Sequence, residues 1–150
     1  MVVRKVRMAQ VSVQDTVLVG IPGEPRLIGG KCPDCGNHVF PMQKDCPKCT
    51  SDQIEKVELS TKGTLWTWTI QGFPPKSPPY IGEIDPDNFE AYGVGYVELP
   101  GEVKVETRLT ENDPTRLRVG MEMELTIVPL AIDEEGNEVV TFAFQPVENN

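Results

Sequence analysis

A single histidine, His38, is all that this chain offers toward imidazole chemistry. That scarcity removes the commonest general base and proton shuttle. No cysteine or serine partners it in a nucleophile pattern, and no serine occupies a Gly-x-Ser-x-Gly elbow. No glycine-rich loop precedes a helix to cradle phosphate; Gly93-Val-Gly95 falls within a strand-like run instead. Carboxylates are plentiful, yet they alternate along strand-like segments, as Glu122 and Glu124 do, in the manner of solvated faces. Apolar runs stop well short of the about 18 residues that a membrane-crossing helix needs. The beginning, Met1-Val-Val-Arg-Lys-Val-Arg-Met8, lacks the apolar stretch of a secretory leader. These absences lead to the expectation of a cytoplasmic protein, off the membrane, with no complete catalytic set of its own.

Basic excess is missing as well. The formal net charge is -9, and it is unevenly placed. Residues 1–25 and 26–62 each balance at +1, whereas residues 63–150 carry five basic and sixteen acidic groups, a balance of -11. Nucleic-acid binders draw much of their affinity from phosphate contacts made by a basic stripe. This chain has none, so nucleic acid is not expected as a partner. The plain reading of the acidity is a solvated surface that favours solubility.

Against these absences stand four cysteines, Cys32-Pro-Asp-Cys35 and Cys46-Pro-Lys-Cys49, which are all the cysteines of the chain. Two such knuckles can gather four thiolates around one tetrahedral ion at about 2.3 Å. Gly36, directly after the first knuckle, suits a turn that needs a positive φ. Two disulfides are the oxidised alternative, but nothing marks the chain as secreted, and in a reducing compartment this spacing binds metal. A redox dithiol would need only one Cys-x-x-Cys. Zinc is the expected ion, and iron in a rubredoxin-like site is the chemical alternative. With four sulfur ligands the site is closed, so the metal is expected to build structure.

The remainder reads as strands. Residues 1–30 form a short arm, irregular or partly helical, with Pro22-Gly-Glu-Pro25, Gly29-Gly30 and a possible strand or helical turn between Val11 and Val19. The zinc ribbon is placed at 31–53. A barrel domain is placed at 54–150, entered through the alternating Ile54–Leu59. Five further strands are expected at 63–70, 91–99, 103–109, 121–128 and 139–144, rich in β-branched and aromatic residues and bent by glycines. That number and size fit a small closed barrel of the OB type; a β-sandwich is the competitor. The expected core is Leu65, Ile70, Val94, Val97, Val103, Val105, Leu125, Ile127, Val140 and Phe142. Residues 71–90 form a long loop with five prolines and with Phe73, Tyr80, Ile81 and Phe89, which either binds something or merely covers one end of the barrel.

Taken in order, the arm, the Cys32–Cys49 ribbon with Phe40-Pro41, Lys62-Gly-Thr-Leu-Trp-Thr-Trp-Thr69, Tyr92-Gly-Val-Gly-Tyr-Val-Glu-Leu99, Leu117-Arg-Val-Gly-Met121 and Phe142-Ala-Phe-Gln-Pro146 resemble the DUF35 family. The resemblance spans about residues 25–147 and implies a rubredoxin-like zinc ribbon followed by an acyl-CoA-associated OB-fold. It implies an accessory role beside a CoA enzyme: a thiolase, a related aldolase or a hydratase, with the chemistry in that partner. A narrower expectation is the small subunit of a thiolase that cleaves an aromatic succinyl-type CoA ester in anaerobic toluene breakdown. The family often begins with a longer helical hairpin. Residues 1–24 do not look like one, so contacts made by such a hairpin do not transfer.

Candidate contacts to CoA or to the partner are Lys31, Phe40, Lys44, Lys48, Phe73 and Tyr80. The lysines would meet CoA phosphates while the acidic barrel faces away. The competing functions are a free acyl-CoA binder, an OB-fold nucleic-acid binder using Trp66, Trp68 and Tyr96, and an iron site for electron transfer.

Overall fold

The structure, a computed structural model, describes residues 10–12, 16–21, 23–75, 85 and 87–147. All regular elements in it are strands: β1 Gln10–Ser12, β2 Leu18–Val19, β3 Arg26–Lys31, β4 His38–Val39, β5 Glu55–Glu58, β6 Lys62–Gln71, β7 Tyr92–Glu98, β8 Lys104–Leu109, β9 Glu122–Ile132 and β10 Glu138–Pro146. The described part of the arm is therefore strand and turn, without helix. No helix among the described residues is long and apolar enough to cross a membrane.

Five of the strands close on themselves. Going round, β6 pairs β7, β7 pairs β8, β8 pairs β10, β10 pairs β9, and β9 returns to β6. All these contacts are antiparallel except β8–β10, where Ala143 lies opposite Arg108 and Phe144 opposite Leu109. This is the Greek-key path of the OB-fold, and closure leaves no exposed edge among the five. Strand β1 then adds to β10 in parallel. The smaller sheet is the ribbon's: β3 pairs with β2, β4 and β5.

The period of the sequence breaks at two places, and each break is a bulge. In β6, Leu65 faces Val97 and Thr67 faces Tyr96, so Trp66 is an extra residue. Leu65 is buried, Trp66 and Thr67 are exposed, and Trp68 and Ile70 turn back to the core. The bulge is why Leu65 and Ile70, an odd number apart, share the inner face. In β9–β10 the register shifts between Val139 and Val140, with Val140 opposite Pro129. A proline without an N–H is tolerated at such an irregularity, and β9 runs on through it to Ile132.

The core corrects one expected residue. Leu65, Val97, Val105 and Val140 are buried, and Ile70, Val103, Leu125, Ile127 and Phe142 pack against the cluster that holds the first three. Val94 lies on the other face of β7, where only Gly93, Gly95 and Val97 point inward. Pleating puts alternate residues on opposite faces, so Val94 and Val97 cannot share one without a bulge between them. A Cβ on Gly95 would collide with the Thr67 carbonyl and press on Leu65 and Leu109. The inner face of β7 is thinned to let those leucines in.

Ribbon and barrel share one apolar cluster. Val17, Leu18, Leu27 and Leu59 join Leu65, Leu99, Leu109, Leu117, Met123 and Phe144 in it. Leu59 sits at the junction, its N–H donating to the Leu27 carbonyl. Phe40, from the loop between the knuckles, meets Phe142 of β10 edge-to-face at 5.9 Å.

Candidate metal centre

The two knuckles are built alike. Gly36 N–H donates to the Cys32 carbonyl and Thr50 N–H to the Cys46 carbonyl, at 2.8 and 2.9 Å. Cys32 N–H reaches the Asn37 carbonyl and Cys46 N–H the Ser51 carbonyl, both at 2.8 Å. The residue four beyond the first cysteine must turn left-handed in each: Gly36 has φ 78° and Thr50 has φ 67°. Glycine does this without cost, whereas a β-branched residue there is strained. Laying Cys32–Asn37 over Cys46–Ser51 sets Gly36 opposite Thr50, a match already present in the sequence.

Folding the two turns together brings all four sulfurs within 4.8 Å of one another. Cys32 and Cys49 sulfurs are 3.5 Å apart, Cys35 and Cys46 sulfurs 3.6 Å. The edge of a tetrahedron of zinc–sulfur bonds is about 3.8 Å, so the arrangement is sized for that ion. Four soft donors in this geometry fit zinc, with no coordination position left for water or substrate. Zinc held there supplies a structural crosslink. Cys32 and Cys46 are buried, Cys35 is half-buried and Cys49 is exposed. His38 lies on β4 opposite Lys31 and is not one of the group.

Polar groups hold the knuckles to one another. Ser51 Oγ donates to the Asp34 carboxylate at 2.5 Å, from the second knuckle to the first. Asn37 Nδ2 points at the Cys46 sulfur at 3.9 Å. In the metal-free ligand set, the N–H groups of Cys49 and Lys48, aided by Cys35, draw Cys46 down to about 6. At Cys49 the Ser51 N–H favours the thiolate, but the Cys32 and Cys35 sulfurs and burial outweigh it and push the pKa up to about 12. Cys35 is also raised: the Asn37 N–H favours its thiolate, but burial and the Cys46 and Cys32 sulfurs prevail. Four anions so close cannot coexist without a cation, and a divalent ion removes that conflict. Asn37, Asp34, Ser51 and Thr50 were not singled out from the sequence, since only their placement gives them roles.

The remaining candidates are scattered. Lys31, Lys44 and Lys48 are exposed around the ribbon. Phe40 is half-buried against Phe142. Phe73 follows β6 and is exposed, while Tyr80 lies outside the described residues. Of the loop's other aromatics, Phe89 packs edge-on against Tyr92.

A closed four-sulfur ribbon joined to a five-stranded closed barrel defines a zinc-ribbon OB-fold protein. Residues 20–55 match the family model described as the ChsH2 rubredoxin-like zinc ribbon domain, and residues 56–128 match the ChsH2 C-terminal OB-fold domain. A DUF35 domain-containing scaffold protein of Pyrococcus furiosus is 34% identical over 123 residues, covering 81% of this chain and 84% of that one. Benzoylsuccinyl-CoA thiolase subunit BbsA of Thauera aromatica is 28% identical over 123 residues, covering 82% and 78%. The solved Ltp2-ChsH2(DUF35) aldolase matches with a TM-score of 0.58 and 25% identity, over 81% of this chain and 84% of that one. The chain belongs to the DUF35 family.

Proposed function

We propose that this chain is a non-catalytic accessory subunit of a cytoplasmic acyl-CoA-processing enzyme, and that the enzyme is a thiolase cleaving a carbon–carbon bond of a 3-oxoacyl-CoA. The observation that carries the reading is the closed four-sulfur centre in a chain whose relatives include a benzoylsuccinyl-CoA thiolase subunit. A metal without an open position supplies no Lewis acid to a substrate. The reacting groups therefore belong to the partner, and an aromatic succinyl-type CoA ester is the substrate suggested by that relative's name.

In this reading the ribbon, set at 31–53, is a rigid clip on the barrel of 54–150. Lys31, Lys44 and Lys48 offset the phosphates of CoA at the interface, and the aromatic side chains of Phe73 and Tyr80 are the further candidates for contact with CoA or the partner. Phe40 acts indirectly, by holding the ribbon to the barrel through Phe142. An aldolase partner is the second reading, favoured by the match to the Ltp2-ChsH2(DUF35) aldolase.

The test is co-expression with thiolase-type and aldolase-type catalytic subunits from the same organism. Stable co-purification, and acyl-CoA cleavage that needs both chains, is the expected result. Failure of every such enzyme to co-purify ends the proposal, and micromolar acyl-CoA binding by the lone chain would redirect it to a carrier.

A further inference from the structure

One face of the barrel carries aromatic surface that neither the metal nor the core uses. At the bulge in β6, Trp66 follows the buried Leu65 and faces outward, where it is 50% exposed, and Tyr96 on β7 beside it is 38% exposed. Their rings meet edge-to-face at 6.1 Å. Lys104 of β8 holds its Nζ 4.1 Å above the Trp66 ring and 3.9 Å from the Glu98 carboxylate. The Tyr96 hydroxyl donates to Glu106 at 3.4 Å. Thr67 and Thr69 lie exposed alongside.

A half-exposed tryptophan forgoes the gain of burial, and the bulge sets the exposed Thr67 on the same outward side as Trp66. Tryptophan and tyrosine at the centre of a patch with a charged rim are the anatomy of a protein–protein anchor. The charges select the occupant. Two carboxylates and one ammonium surround the rings, on a segment of net charge -11, so a phosphate backbone is repelled. A guanidinium or ammonium is attracted twice, by the ring faces and by the carboxylates.

We infer that the outer face of β6, β7 and β8, centred on Trp66 and Tyr96 and rimmed by Glu98 and Glu106, docks the enzyme subunit through a basic, partly apolar surface of that partner. This rests on the accessory-subunit reading. On docking, Lys104 yields the Trp66 ring to an arginine or lysine of the partner, which pairs with Glu98 or Glu106. The same complementarity steers association and makes it salt-sensitive.

The test uses the complex of the full chain with the thiolase- or aldolase-type subunit that co-purifies with it. Trp66→Ala and Tyr96→Ala should each weaken binding by about tenfold or more, as loss of an aromatic anchor does. Glu106→Lys should weaken it and flatten its dependence on salt. Ile132→Ser, at an exposed apolar position in β9 outside this face, should bind as wild type. All four should keep wild-type zinc content, and if Trp66→Ala does not fold, Glu106→Lys at an exposed strand position decides the matter. Wild-type affinity in the face variants overturns the docking face while leaving the accessory role intact. No complex with wild-type chain overturns both. A wild-type dimer that Trp66→Ala splits, with enzyme binding unchanged, assigns the face to a second copy and overturns the inference.

Discussion

The ribbon and the barrel are ordered by different forces. Between β3 and β5, four of the side chains held almost fully from solvent are Leu27, Cys32, Val39 and Cys46, and two of these are metal ligands. The barrel buries Leu65, Val97, Val105, Leu109, Met123, Val140 and Phe144, enough apolar surface to drive closure by the hydrophobic effect. One region is held by a few directional bonds to an ion, the other by many weak contacts. The first should fail all at once when a ligand is lost, and the second by degrees. Because Leu27 and Leu59 belong to the barrel's cluster, ribbon failure should also loosen one side of the barrel.

The largest break is at the metal. Structural zinc contributes about 10–16 kcal/mol of apparent binding free energy in zinc-finger peptides at neutral pH. Cys46→Ser, or extraction by a strong chelator, should abolish stoichiometric zinc and the amide protection of residues 26–58, while most of β6–β10 stays slow in hydrogen exchange and only the side packed on Leu27 and Leu59 speeds up. Loss of protection in both regions together would show that the barrel cannot stand without the ion.

Next comes the barrel core. Phe144 is fully buried, and Phe144→Ala should cost about 3–5 kcal/mol in a urea titration while the zinc content stays unchanged. Gly95→Ala should cost about 1–3 kcal/mol as overpacking, because its new methyl meets backbone at Thr67. Equal stability of Gly95→Ala and wild type would contradict the close approach of β6 and β7.

The contact between the regions is a smaller effect. Removing the Phe40–Phe142 pair by Phe40→Ala should cost about 0.5–1.5 kcal/mol beyond lost burial. Ribbon amides should be affected more than barrel amides.

Smallest is Thr50→Gly. A left-handed β-branched residue costs about 1–2 kcal/mol, of which glycine's greater freedom in the unfolded chain takes back about half. A modest gain in stability is expected, and a loss would mean that the Thr50 side chain does more than tolerate its turn.

Acidity separates the regions as well. Burial and the neighbouring sulfurs raise the Cys35 and Cys49 thiols above the ordinary value, which favours their protonated forms over the thiolates that zinc takes. Zinc must displace those protons, so its affinity should rise with pH and fall in acid. A competition titration across pH 6–8 against a chelator of known protonation should show proton release on binding. The barrel's unfolding should vary far less over that range.

How legible each region was follows from the same contrast. The ribbon's ligand spacing is local, so the cysteines and the positive φ at Gly36 could be read directly. Strand positions in the barrel followed from alternation, and β6, β7, β8 and β10 fall within a few residues of expectation. What was hidden depended on pairing across distance. The shared inner face of Leu65, Trp68 and Ile70 needs the bulge against β7, and the length of β9 needs the irregularity that accommodates Pro129. Gly29-Gly30 falls in the arm expected to be irregular or partly helical, yet β3 runs through it. A Cβ at Gly30 would press on Ile54 at 2.5 Å and Met42 at 2.7 Å, so glycine here reports close packing. Val94 falls on the outer face of β7 because Val97, three residues on, takes the inner one.

The most direct measurement is mass and zinc analysis of the purified chain co-expressed with thiolase- and aldolase-type enzymes of the same organism, with acyl-CoA cleavage assayed on each fraction. The expected result is a hetero-oligomer holding about one zinc per accessory chain, in which cleavage is found with the complex and not with the accessory chain alone. A chain that elutes by itself beside a fully active enzyme, or that cleaves acyl-CoA unaided, would contradict the accessory role.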